Sequence, residues 1–373
     1  MHEDRIPADL GLKAGEVVEV RSRAEILSTL DRDGCLDGLP FMPEMFRHCG
    51  RTLRVGKRAH KTCDTINYSG GRKMVNAVHL EDVRCDGQAH GGCQADCLIF
   101  WKESWVRRVQ EASLARGHRA PPPDPQTVKN GPKVQGCSES DVQAYACRRS
   151  GDQASEPVYN CQATRLLDAT TALQWWDIRQ YWEDYVSRNV TARWMLKVSF
   201  YTAYDKLRRL PWVGKWFKKL YNRLQRAQGK PRHPRTAGRV PQGSPTPTAN
   251  LNLQAGERVR VKDFEAILDT IDGSYFNRGM KWDAEMVPYC GGVYQVRRRI
   301  QQIVDERTGK MRSLKNPCVI LEGAVCQARY SECRLFCPRS VYPYWREIWL
   351  ERVVPAPVST LADSVHTLGS ADS

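Results

Sequence analysis

The chain repeats itself, and the repeat sets the folding unit before any residue is given a role. Residues 15–55 align without a gap on residues 256–296, with about a third of the positions identical. The correspondence continues past a small length difference: Leu80 matches Leu321, Glu81 matches Glu322, Cys85 matches Cys326, Cys93 matches Cys333, Cys97 matches Cys337 and Trp105 matches Trp349. Each copy spans about 95 residues, the size of a small domain.

Within a copy, residues 16–21 alternate apolar and polar side chains as a half-buried strand does, and Ser22 can cap the short helix that follows. Asp263 takes the capping place in the second copy. Two further strand candidates, 52–61 and 74–84, flank the glycine-containing INYSGG segment. Their counterparts, 293–304 and 318–325, flank DERTGK, so each pair reads as a hairpin. This order predicts an α+β protein of two homologous β-rich modules, each an SH3-like barrel or short twisted sheet with short helices. The expected modules are residues 11–110 and 251–354. Between them the sequence predicts a Pro-rich linker at 111–136, a helical insert with a basic amphipathic segment at 137–228, and a disordered linker at 229–250. A disordered tail is expected at 355–373.

Fourteen cysteines stand in a chain whose polar start, MHEDRIPADL, lacks the charged-then-apolar pattern of an export signal. The expected address is the cytoplasm, where thiols stay reduced and metal binding or redox chemistry is their usual special use. Several of the fourteen are expected to be ordinary buried side chains. Facing residues of an antiparallel hairpin share a constant index sum. Pairing Cys49 with Cys85 centres one hairpin on residue 67, and pairing Cys290 with Cys326 centres the other on residue 308, each inside its turn segment. Two four-thiol sites are therefore expected: Cys49, Cys85, Cys93 and Cys97 in one module, and Cys290, Cys326, Cys333 and Cys337 in the other. Four thiolates with no open position describe structural zinc, and an iron-sulfur cluster uses the same set. Cys63, Cys137, Cys161 and Cys318 are alternative ligands, with Cys63 the leading substitute. His90, in HGGC, is a further candidate ligand or a donor to one.

The net charge of +15 suggests nucleic acid until its distribution is considered. Residues 188–239 hold 15 Lys or Arg against one acidic residue, Asp205, so this stretch carries +14 and the modules are close to neutral. A helix candidate starting at Pro211 sets Trp212, Trp216 and Phe217 on one face and Lys215, Lys218 and Lys219 on the other. That is the pattern of a helix lying on an anionic membrane, so peripheral membrane attachment is expected ahead of nucleic-acid binding. No run of 18 apolar residues is present to form a spanning helix.

Phosphate-loop, zinc-protease, serine-hydrolase and kinase motifs are all missing from the sequence. Glu44 and Glu285 recur with Arg58 and Arg299, which predicts a bracing Glu-Arg pair in each module. A reactive thiol is conceivable at Cys63, activated by Lys61 and Arg58. The phrases CLDGLPFMPEM, HKTCD, HGGCQADC with FWKESW, YNCQATRLLDATT with WWDIRQY, and FCPRSVYPYWREIWLERV resemble an uncharacterised family of bacterial proteins. The resemblance covers most of the chain outside the linkers and implies a bacterial cytosolic setting without implying an activity. The expected function is a non-catalytic, metal-stabilised tandem scaffold or adaptor with a protein partner of unknown identity. The competing expectation is an iron-sulfur or other metalloenzyme.

Overall fold

A computed structural model describes residues 9–109, 136–149, 156–208, 214, 216, 219–221, 223, 233–331 and 333–353. It is a mixed α+β structure with several small antiparallel sheets and few helices. Two five-stranded sheets dominate. In the first, the strand order is Trp101–Lys102, Ala77–Leu80, Thr52–Arg58, Val17–Val20, Val106–Arg108; in the second it is Trp345–Arg346, Met311–Leu321, Val293–Val304, Arg258–Val261, Leu350–Arg352. The two orders run through matching segments of the repeat. Neither sheet closes into a barrel, so the barrel alternative is replaced by an open sheet.

Local chemistry explains the entry to each module. Ser22 caps the Arg23–Leu27 helix in a full capping box with Glu25, satisfying backbone donors that a short helix cannot bond internally. Asp263 holds the same place before Phe264–Leu268 without a side-chain cap. Aromatic side chains fill both cores in the same arrangement. Phe41 meets Trp101 and Trp105 edge-on at 6.2 and 5.1 Å, and Trp282 meets Trp345 and Trp349 edge-on at 5.8 and 5.0 Å. The indole of Trp105 donates to Thr29 at 3.1 Å, and that of Trp349 donates to Thr270 at 3.0 Å.

A buried carboxylate closes each module. Glu103 accepts the backbone N–H groups of Leu10, Gly11 and Leu12 and the guanidinium of Arg58; Glu347 accepts those of Leu251, Asn252 and Leu253 and the guanidinium of Arg299. The predicted Glu-Arg brace is therefore present with different carboxylates, because Glu44 and Glu285 face the cysteine loops instead.

The hairpins differ, and this difference shapes the molecule. The second runs almost unbroken to its turn, whereas the first breaks after Arg58 and resumes as Lys61–Cys63 paired with Gly71–Lys73, to which Thr171–Leu173 adds a third strand. Each hairpin tip reaches the opposite module. Arg307 of the second tip donates to the Ile66 carbonyl of the first, and the backbone N–H of Val304 lies 3.3 Å from the Cys93 sulfur. Arg297 also pairs with Asp96, and Gln94 bonds the Gln301 and Gln302 backbone. The Pro-rich stretch expected to be a disordered linker is ordered from residue 233 to residue 250. There Arg239 bonds Asp269 at 2.7 Å, Pro247 accepts from Asn277 at 2.9 Å and Thr246 accepts from Arg278, so this stretch is a strap on the second module.

Candidate metal centre

The cysteine loop of the first module leaves the sheet where the hairpin ladder ends. Val55 pairs with Leu80, the last cross-strand hydrogen bond runs from Glu81 to Arg54, and residues 52–54 then pair with the Val17–Val20 strand instead. The ladder thus stops before it reaches Cys49 or Cys85. Extrapolating the index sum beyond that point fails because the backbone has already parted. Cys85 is held next to Cys97 by its own backbone, whose N–H bonds the Cys97 carbonyl at 2.9 Å. Between them the chain makes a tight knuckle at Gly87, where φ is 77° and a Cβ would fall 1.9 Å from the Cys93 carbonyl oxygen.

A cavity of about 40 Å³ opens inside this loop, lined by Cys85, Cys93, Cys97, Cys161, His90 and Glu306 among others. That volume suits a single ion or water. At its edge Glu44, Cys85 and His90 place one ligand atom each within 4.8 Å of one another, Glu44 and His90 buried and Cys85 half-buried. The Cys85 thiol donates to Glu44 Oε1 at 2.9 Å, and His90 Nδ1 lies 3.5 Å from the same oxygen without a hydrogen bond. His90 Nε2 is 3.2 Å from the Asn160 carbonyl, which requires a proton on Nε2 and turns Nδ1 toward Glu44 and Cys85. Glu44 Oε2 and His90 Nδ1 are thus buried polar atoms without partners, the condition a bound cation relieves.

Burial pushes the Cys85 thiol well up, and the Glu44 carboxylate and Cys97 push it further; burial likewise raises Cys97, and raises Cys161 to about 11. Protonated thiols suit a metal-free pocket. A soft divalent cation would displace those protons, since the thiolate is the ligand form. Among the described residues Glu44, Cys85 and His90 are the group whose ligand atoms converge, and the thiols of Cys93, Cys97 and Cys161 line the adjoining cavity; a donor set of thiol, imidazole and carboxylate fits zinc.

A second thiol cluster lies where the first hairpin tip meets the second module. Cys63, Ala328 and Cys337 pack as one buried group, with the half-buried Cys326 against it. The Cys337 thiol hydrogen-bonds Cys63 and, against burial and with help from Arg339 and Arg334, holds Cys63 below the ordinary thiol range; Cys337 is raised in return. Activation of Cys63 was expected from Lys61 and Arg58. Lys61 instead pairs with Asp184 at 2.6 Å, and Arg58 pairs with Glu103 and Glu183. Arg339, 3% exposed, sits between the clusters. Burial opposes its charge, but Glu306 and the thiols of Cys63, Cys97 and Cys337 together raise its pKa above the usual arginine range.

The remaining predicted ligands fall elsewhere. Cys49 ends a 3-10 helix beside Arg23 and Glu139 with its thiol raised by burial to about 11, and Cys290 lies near Asp263, raised to about 12 by the same cause. Cys318 is in the hydrophobic cluster of Ile300, Ile320 and Tyr342, and Cys137 packs in the first core. Both are core thiols. Glu44, Glu306 and Arg339 were not expected at the site. The recurrence of Glu44 as Glu285 was the available signal for the first, and nothing in the sequence singled out the other two.

Of the membrane candidates, Trp212, Lys215, Phe217 and Lys218 lie outside the described residues, and Trp216 and Lys219 are exposed. Among the described residues no helix is long and apolar enough to cross a membrane. In comparisons with known proteins, no family model, curated protein or solved structure matches this chain.

Proposed function

We propose that the chain is a non-catalytic scaffold or adaptor built from two duplicated modules and stabilised by zinc. The observation that carries this reading is the cavity in which Cys85, Cys93 and Cys97 of one module meet Cys161 of the insert beside the unpartnered buried atoms of Glu44 and His90. Were the four thiolates of this cavity to close around the ion, no position would be left for substrate, which favours structure over catalysis. The shared strand order, aromatic triads and buried carboxylates support descent of the modules from one ancestral unit.

Anaerobically purified full-length protein tests this by metal analysis and absorption spectroscopy. Colourless protein containing zinc that is lost in Cys85→Ser and Cys161→Ser supports the reading. Brown protein containing iron rejects zinc in favour of the iron-sulfur alternative, and a metal-free native protein rejects both. Retention of zinc in His90→Asn separates the all-thiolate set from one using His90.

A second reading, that the scaffold docks on an anionic membrane, is favoured by an unusual exposure of large apolar side chains on the insert. Trp176, Ile178, Trp182, Leu196, Phe200 and Trp216 are each more than 60% exposed. They belong to the same insert that holds most of the net positive charge. Co-sedimentation with vesicles containing phosphatidylserine tests it. Binding that weakens in Trp182→Ala/Phe200→Ala/Trp216→Ala supports docking, and failure of the wild type to sediment refutes it.

A further inference from the structure

We propose a second zinc site that joins the two modules, made by Cys63 of the first hairpin tip together with Cys326, Cys333 and Cys337 of the second module. It deepens the metal-stabilised reading, and its test is arranged to fail separately. Three observations converge on it. Cys63 and Cys337 pack in one buried cluster with the half-buried Cys326 against it, so that turning these side chains inward would bring their sulfurs together. Cys333, exposed at the edge of that cluster, approaches the same hairpin: a Cβ built on Gly70 would lie 3.4 Å from the Cys333 Cβ, and Gly71 is the cross-strand partner of Cys63. The site is also provided with cations, because Lys57 lines one pocket with Cys326 and Cys337, and Arg334 and Arg339 are electrostatic neighbours of Cys63. Zinc with four thiolates carries net negative charge, which buried cations offset.

The repeat explains why the fourth thiol comes from a different place in each site. Counting on from the matched pair Val55 and Val296, Cys63 corresponds to Val304. Val304 occupies the reciprocal position, packed against Cys93 of the first cluster. Each hairpin tip therefore enters the other module's cysteine loop, but only the first tip carries a thiol. Where the second tip offers valine, the insert supplies Cys161 to the same cavity. In both sites, three repeat-related cysteines are completed by a thiol from outside their own module.

Binding proceeds by exchange of thiol protons for Zn²⁺, with the protons released to solvent and no change of oxidation state. The test uses the full chain, purified anaerobically and supplied with zinc alone. The wild type is expected to retain about two equivalents, and Cys63→Ser and Cys161→Ser about one each. Cys63→His is expected to restore the second equivalent, and Cys49→Ser and Cys290→Ser to retain both. In case Cys63→Ser fails to fold, N-ethylmaleimide labelling of zinc-loaded wild type followed by peptide mass mapping gives an independent answer. Protection of Cys63, Cys326, Cys333 and Cys337 that chelator abolishes supports the site. Two equivalents retained by Cys63→Ser, labelling of Cys63 in the zinc-loaded protein, or a native Cys63–Cys337 disulfide would overturn it. Loss of zinc in Cys161→Ser but not in Cys63→Ser ends this inference and leaves the first site standing, whereas absence of zinc from the wild type ends both.

Discussion

Replacing Glu347 with Gln exchanges one carboxylate oxygen for an NH₂ group and removes the anchor that ties the entry segment of the second module to its closing turn. Oε2 of Glu347 accepts from the backbone of Leu251 and Asn252, and Oε1 accepts from Leu253 at 3.2 Å and Arg299 at 2.6 Å. A glutamine offers one acceptor oxygen and one donor NH₂ group. With the oxygen turned to Leu253 and Arg299, the NH₂ confronts the other two donors. Asn252 is exposed and can turn to water, but Leu251 is half-buried, and the hydrogen bond to Arg299 loses its charge assistance. One unsatisfied donor costs about 1–3 kcal/mol and the weakened charged bond about as much again, so a loss of about 2–6 kcal/mol is expected. That is a large part of the stability of an ordinary domain.

Glu103→Gln presents the same geometry with one difference that fixes the order of the two variants. Arg58 retains a second carboxylate, Glu183 at 3.0 Å, so neutralising Glu103 leaves its cation paired. Arg299 makes its one described ion pair with Glu347. Glu103→Gln should therefore be the milder substitution by about 1 kcal/mol. Guanidinium unfolding followed by tryptophan fluorescence measures both. A Glu347→Gln loss below about 1 kcal/mol, or a larger loss at Glu103, would refute the assignment of the carboxylates as paired anchors.

Asp184 is buried under the first hairpin tip against Lys61, and Asp184→Asn is expected to cost about 3–5 kcal/mol by leaving that ammonium buried and unpaired. The double change Lys61→Met/Asp184→Leu should cost less than Asp184→Asn in the same unfolding assay, because it removes both charges. His79 is fully buried against Phe100, and burial depresses its pKa from 6.5 to about 3. Its folded-state pKa lies below its unfolded value, so its contribution is complete above about pH 6.5 and is lost as pH falls toward 3. The wild type should accordingly lose about 2 kcal/mol more than His79→Gln between pH 7.5 and pH 5, and equal slopes in paired denaturant titrations would count against a neutral buried imidazole. Trp345→Ala, which removes one arm of the second aromatic triad, is expected to lower stability by about 3–5 kcal/mol by calorimetry, with little effect on zinc bound at the first site.

The repeated unit, its strands, its short capped helices and the set of recurring cysteines were legible in the sequence because they depend on local patterning. Period-two alternation, a capping residue and matched spacing are written along the chain. Cys85, Cys93 and Cys97, grouped on this basis, line one cavity because they sit in one short loop. Cys49 was misplaced because index arithmetic assumes that pairing continues, while the strand at residues 52–54 had already turned to its other neighbour. For the linker expected at 229–250, composition reports a lack of helix or strand propensity, not the absence of a surface to lie on. From residue 233 onward, the second module supplies that surface.

By itself the sequence determined what recurs in each module: strands in a common order, aromatic side chains and three cysteines in a loop. Tertiary structure decided what completes them. Cys161 comes to the first cluster from the insert, Cys63 comes to the second from the opposite module, and Arg339 stands between the two. The physical reason is that a thiol cluster is specified by distances in space. The contacts that bring residue 63 to residues 326 and 337 are made by two hairpin tips crossing, an event set by the packing of whole modules and by no local pattern in either.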